Sequence, residues 1–211
     1  EPPAFIDRYP GFLSATRAHL ENTLSPSVLY GSGLRIAVGL DIHAQEEAED
    51  LFPAKSKYFE GLIGRRNPDG LQTAGVLLDV DTGLIRAIYG GTGITTISFN
   101  RATQAMRQPG SSFKPLTFAM AFELKNPDGT PRFTAASNEP NSPRDFVTPQ
   151  GKWRPRNVGG EYTTTASLAH ALAWSQNIAT ASLLEEAGGP KALIAFAKKV
   201  GFDTAKFPEE M

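Results

Sequence analysis

Two apolar runs joined by a tight turn most constrain the fold of this chain. Residues 74–80 and 84–89 are rich in Val, Leu and Ile, and an Asp-Thr-Gly sequence at 81–83 separates them. Runs of this length on either side of a short Gly-containing turn predict an antiparallel β-hairpin. Because both runs are almost continuously apolar, the pattern also predicts that the hairpin is buried on both faces, between helices.

The rest of the chain reads mainly as helix and loop. Residues 34–40 form a second strand candidate, Asp41 is a suitable N-cap, and residues 126–153 are rich in Pro, Asn, Ser and Gly, which predicts a long irregular crossing. Loops are predicted at 25–27, 31–33 and 64–70, and N-caps at 163–165. Helices are predicted over residues 12–24, 42–52, 111–123, 166–174, 178–187 and from Pro190 to about 200.

Composition excludes several classes of function. The net charge is −1 and no long run has one sign, which argues against a nucleic-acid surface. The chain has no cysteine, and its three histidines are scattered without ligand spacing, so neither disulfides nor a metal site are expected. No apolar run reaches membrane-spanning length.

The first chemical candidate is the pair Ser111 and Lys114. Gly110 allows a sharp turn before a helix, and Pro115 fits only in a first helical turn, so the helix is predicted to begin near Ser111. Ser111 would then lie at the positive end of the helix dipole, with Lys114 one turn later on the same face. A buried lysine can titrate low enough to take the proton of a serine hydroxyl. The alternative is an ordinary helix start with a solvated lysine, in which Ser112 competes as N-cap.

The second candidate is Ser175 with Asn177. Ser-x-Asn is a trivial pattern that Ser98 and Asn100 also match, but Ser175 falls where one predicted helix ends and the next begins. Both side chains can therefore project from a short connection. A hydroxyl there could relay a proton, and the amide could hold a substrate amide or position the lysine.

Ser-x-x-Lys followed by Ser-x-Asn is the motif pair of the penicillin-interacting serine enzymes. Between about residues 33 and 201 the chain resembles the class A, bifunctional-type penicillin-binding proteins. The segments that carry this resemblance are Gly33–Gln45, the hairpin turn with Gly90 and Gly91, Phe99–Ala102, Arg107–Pro115 and Trp153–Asn157.

The resemblance also implies how the chain is divided. Residues 1–33 would be a linker segment, and residues 34–211 the amino-terminal part of a transpeptidase domain. The third motif of the family, Lys-Thr-Gly or Lys-Ser-Gly on a strand, is not found in the sequence, and neither is a glycosyltransferase domain. The resemblance therefore implies a mixed α/β fold of the penicillin-binding transpeptidase or serine β-lactamase-like kind, an antiparallel sheet between helical layers, which is incomplete in this chain. The remainder of the domain, as a separate chain, would be a partner.

For function, the resemblance implies a cofactor-independent D-alanyl-D-alanine transpeptidase that cross-links peptidoglycan stem peptides and is acylated by β-lactams. Ser111 would be the nucleophile and Lys114 its base, while Ser175 would relay a proton and Asn177 would hold the substrate amide. Trp153 and Asn157 would lie in the substrate groove. Such an enzyme would work outside the cytoplasm, anchored by a segment that this sequence lacks, and the isolated chain would be weakly active or inactive.

Two classes of rival function stay open at this point. A β-lactamase or a D,D-carboxypeptidase would hydrolyse the acyl-enzyme, whereas a β-lactam-binding sensor or an inactive scaffold would acylate slowly without transferring the acyl group. Product analysis with a D-alanyl-D-alanine peptide separates transfer from hydrolysis and from no reaction.

Overall fold

The computed structural model describes residues 8–63, 70–95, 98–205 and 207, and it divides into two compact units, Glu1–Arg107 and Gln108–Met211. The helices are α1 (Pro10–Thr23), α2 (Pro26–Gly31), α3 (Ile42–Ile63), α4 (Arg101–Gln104), α5 (Lys114–Glu123), α6 (Leu168–Ala173), α7 (Asn177–Glu186) and α8 (Gly189–Lys199). The strands are β1 (Gly75–Leu78), β2 (Ile85–Tyr89), β3 (Asn138–Pro140), β4 (Phe146–Thr148), β5 (Gly151–Trp153) and β6 (Thr165–Ser167). No described helix is long and apolar enough to cross a membrane.

The strands pair antiparallel as β1 with β2, β3 with β6, and β4 with β5. The mixed α/β class and the hairpin at 74–89 are thus confirmed, but the described sheets have two strands each. The prediction that both arms of the hairpin are buried was wrong for β1, whose residues from Val76 to Leu78 are exposed, while β2 buries Ala87, Ile88 and Tyr89.

Helix α3 of the amino-terminal unit begins where the sequence predicted but is longer than predicted. Its predicted N-cap is confirmed, since Asp41 Oδ1 accepts the amide hydrogen of Ala44 at 3.1 Å. The predicted end at residue 52 was wrong, because the helix continues through Pro53. Contacts on both sides of the proline hold it there. Phe52 stacks on Tyr89 with ring centroids 4.9 Å apart, and Ser56 Oγ lies 2.9 Å from the hydroxyl oxygen of Thr73.

Several other elements differ from the sequence-based expectation. Residues 34–40 form no strand. Among the described residues, the hydrogen bonds between this segment and the hairpin lie at its end, where the Arg86 side chain donates to the Gly39 carbonyl at 3.3 Å and the adjacent Asp41 amide donates to the Arg86 carbonyl at 2.8 Å. Helix α2 overlaps both loops predicted at 25–27 and 31–33, and the crossing predicted over 126–153 contains β3, β4 and β5. The loop predicted at 64–70 lies almost entirely outside the described residues. The domain boundary after residue 33 stays a prediction.

The carboxy-terminal unit has the larger core. Helices α5, α6, α7 and α8 pack around a cluster of buried apolar side chains, and Phe113, at the start of α5, packs against the edge of that cluster. The fully buried members include Phe118, Ala121, Leu168, Ala171, Ala179 and Leu183. This packing fixes the first turn of α5 relative to the connection between α6 and α7.

Candidate active site

Ser111 lies in a 3-10 turn, Gly110–Phe113, that runs directly into α5. The predicted sharp turn is confirmed, since Gly110 has φ +54°, a conformation that favours glycine. Pro115 stands in the first turn of α5, also as predicted. Ser112 is not the N-cap; its hydroxyl donates to the Pro109 carbonyl at 2.6 Å. The exposed Ser111 hydroxyl makes no hydrogen bond to another described residue.

Ser175 owes its position to the way α6 ends. The Ser175 amide donates to the Leu172 carbonyl at 3.1 Å and the Gln176 amide to the Ala171 carbonyl at 2.8 Å, the two hydrogen bonds of a Schellman motif. The residue after the cap in that motif is left-handed and is usually glycine. Here it is Ser175, with φ +52°. The chain reverses at this residue, and α7 begins two residues later at Asn177.

Lys114, the first residue of α5, brings the two motifs together. Its Nζ lies 2.6 Å from the backbone carbonyl oxygen of Ser175, 3.0 Å from Ser175 Oγ and 2.5 Å from Asn177 Oδ1. Burial lowers the pKa of the Lys114 amine, because the charged form loses part of its hydration. The alternative of an ordinary helix start with a solvated lysine is therefore wrong.

The three acceptors around Lys114 constrain its protonation chemistry. A backbone carbonyl and an amide oxygen can only accept hydrogen bonds, so they take two N–H groups of the amine in either charge state. In the neutral amine, the remaining lone pair is free to accept a proton from a hydroxyl. The arrangement can therefore take up a serine proton without breaking the contacts that hold the amine.

Asn157 is buried next to Asn177, although the sequence suggested that it lies in the substrate groove. The residue is 4% exposed, and its Oδ1 accepts the amide hydrogens of Asn177 at 2.8 Å and Ile178 at 3.1 Å, which caps the start of α7. Its Nδ2 donates to Asn141 Oδ1 at 3.0 Å and to the Glu161 carbonyl at 3.1 Å. Sequence reasoning missed this capping role, because the cap comes from 20 residues before the helix and has no local pattern.

An open cleft of about 920 Å³ runs over these residues. Of the residues singled out in the sequence, Ser111, Lys114, Trp153 and Asn177 line it, while Ser175 and Asn157 do not. Trp153 ends β5, is 43% exposed and packs on Phe146 with ring centroids 5.6 Å apart. The remaining lining residues are Gln108, Gly110, Thr148, Gln150, Gly151, Lys152, Arg154, Pro155, Arg156, Thr180, Ala181 and Leu184.

The predicted helix caps around the site need one correction. Residues 163–165 are not the N-caps of α6. The cap is Ser167, whose hydroxyl oxygen accepts the amide hydrogen of His170 at 3.2 Å. The described residues contain no cluster of His, Cys, Asp and Glu that could hold a metal ion.

The carboxy-terminal unit places Ser111, whose hydroxyl bonds to no described residue, and the partly buried Lys114 in one cleft. Ser175 and Asn177 both contact that lysine. This mixed α/β arrangement is the architecture of the penicillin-interacting serine enzymes. Residues 73–211 match the family model of the penicillin-binding protein transpeptidase domain. The chain belongs to this family.

Similar curated proteins agree with this assignment. Penicillin-binding protein 1B of Haemophilus influenzae is 32% identical over 203 residues, which cover 96% of this chain and 25% of that protein. Penicillin-binding protein 1A of Neisseria lactamica is 36% identical over 138 residues, 65% of this chain and 17% of that protein. The resemblance to the bifunctional-type proteins is thereby confirmed, and this chain spans about a quarter or less of their length.

Solved structures give the same fold. The penicillin-binding protein PonA1 from Mycobacterium tuberculosis aligns with a TM-score of 0.69 and 30% identity, covering 93% of this chain and 46% of that one. The same protein in complex with penicillin V aligns equally well. Penicillin-Binding Protein 1A from Haemophilus influenzae aligns with a TM-score of 0.57 over 65% of this chain and 20% of that one.

Proposed function

We propose that this chain carries the acylation machinery of a serine D-alanyl-D-alanine transpeptidase that cross-links peptidoglycan stem peptides. The observation that carries the proposal is the position of Lys114 Nζ, held by Ser175 and Asn177 in the cleft that Ser111 also lines. A serine hydroxyl is a weak nucleophile until a neighbouring group takes its proton. Among the described residues, Lys114 is the basic group placed for this task.

In the proposed reaction, Ser111 Oγ attacks the carbonyl carbon between the two terminal D-alanines, and its proton passes to Lys114. The backbone N–H of Ser111 is one donor to the oxyanion that forms. Lys114 then gives this proton to Ser175, whose hydroxyl is 3.0 Å from the lysine amine, while Ser175 passes its own proton to the nitrogen of the leaving D-alanine. The amine of a second stem then attacks the acyl-enzyme, forms the new amide bond and frees the Ser111 hydroxyl.

Asn177 has two tasks in this scheme. Its Oδ1 accepts from Lys114, and its Nδ2 donates to the Arg156 carbonyl at 2.6 Å, so the side chain is fixed at both ends. Because it lines the cleft, it can also contact the amide of the bound stem. Trp153 is proposed to cover the stem with its exposed ring. Asn157, which the sequence suggested as a groove residue, is proposed instead to position Asn177.

The solved complex of PonA1 with penicillin V supports β-lactams as inhibitors of this chain as well. A β-lactam would trap Ser111 as a stable acyl-enzyme. Since the substrate of the proposed reaction lies in the cell wall, the protein is proposed to work outside the cytoplasm, at the membrane. No metal or cofactor enters the proposed steps.

The test is mass spectrometry of the full-length protein after incubation with benzylpenicillin. We expect the mass of the drug on the tryptic peptide that contains Ser111, and none after Ser111→Ala. The matched control is Ser112→Ala, whose hydroxyl is bonded within its own loop and which should still be labelled. Labelling that survives Ser111→Ala, or that lies on Ser112, would refute the assignment.

The class of reaction needs a second measurement. With a D-alanyl-D-alanine peptide and an amine acceptor, a transpeptidase yields the cross-linked product. Hydrolysis as the sole outcome would indicate a carboxypeptidase or, with β-lactams, a β-lactamase. Acylation by penicillin without any peptide product would indicate a sensor.

A further inference from the structure

The charge of the cleft is strongly one-sided. Its described lining contains Lys114, Lys152, Arg154 and Arg156 but no Asp or Glu, although the whole chain has a net charge of −1. A cleft lined by one sign of charge concentrates ligands of the opposite sign. Lys114 is engaged by Ser175 and Asn177, so the three cations between residues 152 and 156 are the ones left to face a ligand.

Arg156 is the best placed of the three. Its backbone carbonyl accepts from Asn177 Nδ2 at 2.6 Å, and the same Asn177 side chain contacts the Lys114 amine. The buried Pro155 precedes it, and the buried Asn157 follows it. The backbone of Arg156 is therefore fixed one hydrogen bond from the group that holds the base. Its exposed guanidinium makes no ion pair or hydrogen bond to any described residue.

Lys152 and Arg154 extend the positive charge along the same segment. Both approach one carboxylate, Asp145, at the long distances of 3.7 Å and 3.6 Å. Their side chains are exposed, and such surface pairs hold charges together only weakly. A single carboxylate shared by two cations leaves the segment positive even before Arg156 is counted.

We propose that Arg156, assisted by Arg154 and Lys152, binds a free carboxylate in the body of the donor stem peptide and makes the enzyme prefer acidic stems over amidated ones. This inference rests on the proposed function and adds a specificity to it. A guanidinium matches a carboxylate with two parallel hydrogen bonds, which a neutral carboxamide cannot return. The donor is implicated rather than the acceptor because Arg156 is bonded to Asn177, the residue proposed to hold the donor amide.

The experiment compares two donor peptides that both end in D-alanyl-D-alanine. One carries a glutamate in its stem, and the other carries glutamine at the same place. The acylation rate constant kcat/KM is measured for the full-length protein without an acceptor amine, so that the donor alone is read. We expect the glutamate peptide to react about tenfold faster at low salt, and the preference to shrink as ionic strength rises.

The variants address the residue itself. Arg156→Gln should reduce the ratio of the two rates to about one, Arg156→Lys should keep part of it, and Arg156→Glu should invert it. Lys191→Gln is the matched control, since Lys191 is an exposed cation on α8 that does not line the cleft, and it should leave the ratio unchanged. Circular dichroism checks that each variant is folded.

Two results would overturn the inference while leaving the proposed function intact: equal rates for both peptides in the wild type, or a wild-type ratio that persists in Arg156→Gln and Arg156→Glu. A preference that appears only when an acidic acceptor is added would overturn the assignment to the donor. Failure of every donor peptide and of benzylpenicillin to acylate Ser111 would instead refute the proposed function.

Discussion

Both units of the chain bury side-chain carboxamides, and one from each unit, Gln45 and Asn157, shows that they serve different purposes. In the amino-terminal unit, Gln45 of α3 is fully buried; its Oε1 accepts the amide hydrogen of Ile88 at 2.8 Å and its Nε2 donates to the Ile88 carbonyl at 2.9 Å. Gln45 thus takes the place of a neighbouring strand beside β2. In the carboxy-terminal unit, Asn157 caps α7 at Asn177. The first amide supports the fold, whereas the second also holds Asn177, whose Oδ1 accepts from Lys114, the proposed base.

The two units also differ in the size of their buried apolar clusters. In the amino-terminal unit, the described cluster is small, consisting of Tyr9, Phe12 and Ile88 with a few partly buried neighbours, and β1 is exposed. The carboxy-terminal unit has an eleven-residue buried cluster. Close packing leaves little freedom for the elements that carry Ser111, Lys114 and Asn177. The comparison teaches that the residues of the proposed chemistry lie in the unit with the larger buried apolar cluster.

The largest expected effect comes from Lys114 in the carboxy-terminal unit. Lys114→Arg and Lys114→Ala should each slow acylation about a hundredfold or more, the usual contribution of a general base, because arginine cannot give up its proton at working pH. The measurement is the acylation rate with benzylpenicillin. As a matched control, Lys191→Arg should acylate normally.

The pH dependence of that rate checks the same assignment. The base must be neutral, so acylation should rise with pH up to the pKa of Lys114 and then level off. Because burial lowers this pKa, the plateau should begin below about 10.4, the value of an ordinary lysine. A near wild-type rate for Lys114→Arg would make Ser175 or a water the better candidate for the base.

A pair of variants sharpens the contrast between the two carboxamides. Asn157→Ala and Gln45→Ala should each lower the free energy of unfolding by about 1–3 kcal/mol, since both leave buried backbone groups without a partner. Only Asn157→Ala should also slow acylation, by about tenfold or more, because Asn177 would no longer be held in place. Urea denaturation and the acylation rate of the folded variants give the two readouts.

Asn157→Asp supplies the conservative control, since its carboxylate still accepts from the start of α7 and should restore part of the rate. The acylation pH profile should also shift in Asn157→Ala, because Asn177 Oδ1 is one of the acceptors of the Lys114 amine. An equal loss of acylation in both alanine variants would erase the distinction between the two units.

The smallest expected effect concerns Glu139 on β3, which is 3% exposed. Desolvation, reinforced by Glu186 and opposed by Arg144 and Arg132, raises the pKa of this carboxyl to about 7. The folded state therefore binds the proton more tightly than the unfolded state. Stability should be full below the unfolded pKa and fall as pH rises toward about 7, by about 1–3 kcal/mol in total.

Glu139→Gln should remove this slope and stabilise the protein at pH 7.5. Glu161→Gln, which changes an exposed carboxylate in the same unit, should keep the slope. Urea denaturation between pH 4.5 and 8 measures both. A slope that survives in Glu139→Gln would show that another group is responsible.

What the sequence could predict was local. The turn at Gly110, the start of α5 and the break around Ser175 follow from the backbone preferences of Gly and Pro and from the spacing of apolar residues. The hairpin was predictable for the same reason. The motif residues could be found without knowing the distances between them.

What the sequence could not predict depends on distant partners. Helix α3 passes through Pro53 because contacts with distant residues outweigh the local cost of a proline inside a helix. Residues 34–40 have the pattern of a strand, but the pattern cannot show that no described strand pairs with them. Asn157 looks like one more polar residue in a loop, since nothing near it shows which helix it caps. The proposed catalytic grouping also depends on the packing of α5 against α6 and α7, which brings residues 114 and 175 together.

The Schellman turn at Ser175 has a consequence for how this protein can vary. The backbone at that residue favours Gly or Asn, because a left-handed conformation strains most side chains. The proposed proton relay needs a hydroxyl, and threonine, the other candidate, is β-branched and fits that conformation poorly. The left-handed backbone and the need for a hydroxyl are two independent requirements at residue 175, and together they exclude nearly every other amino acid. An inhibitor whose binding depended on the Ser175 hydroxyl would leave few substitutions by which resistance could arise without loss of either fold or activity.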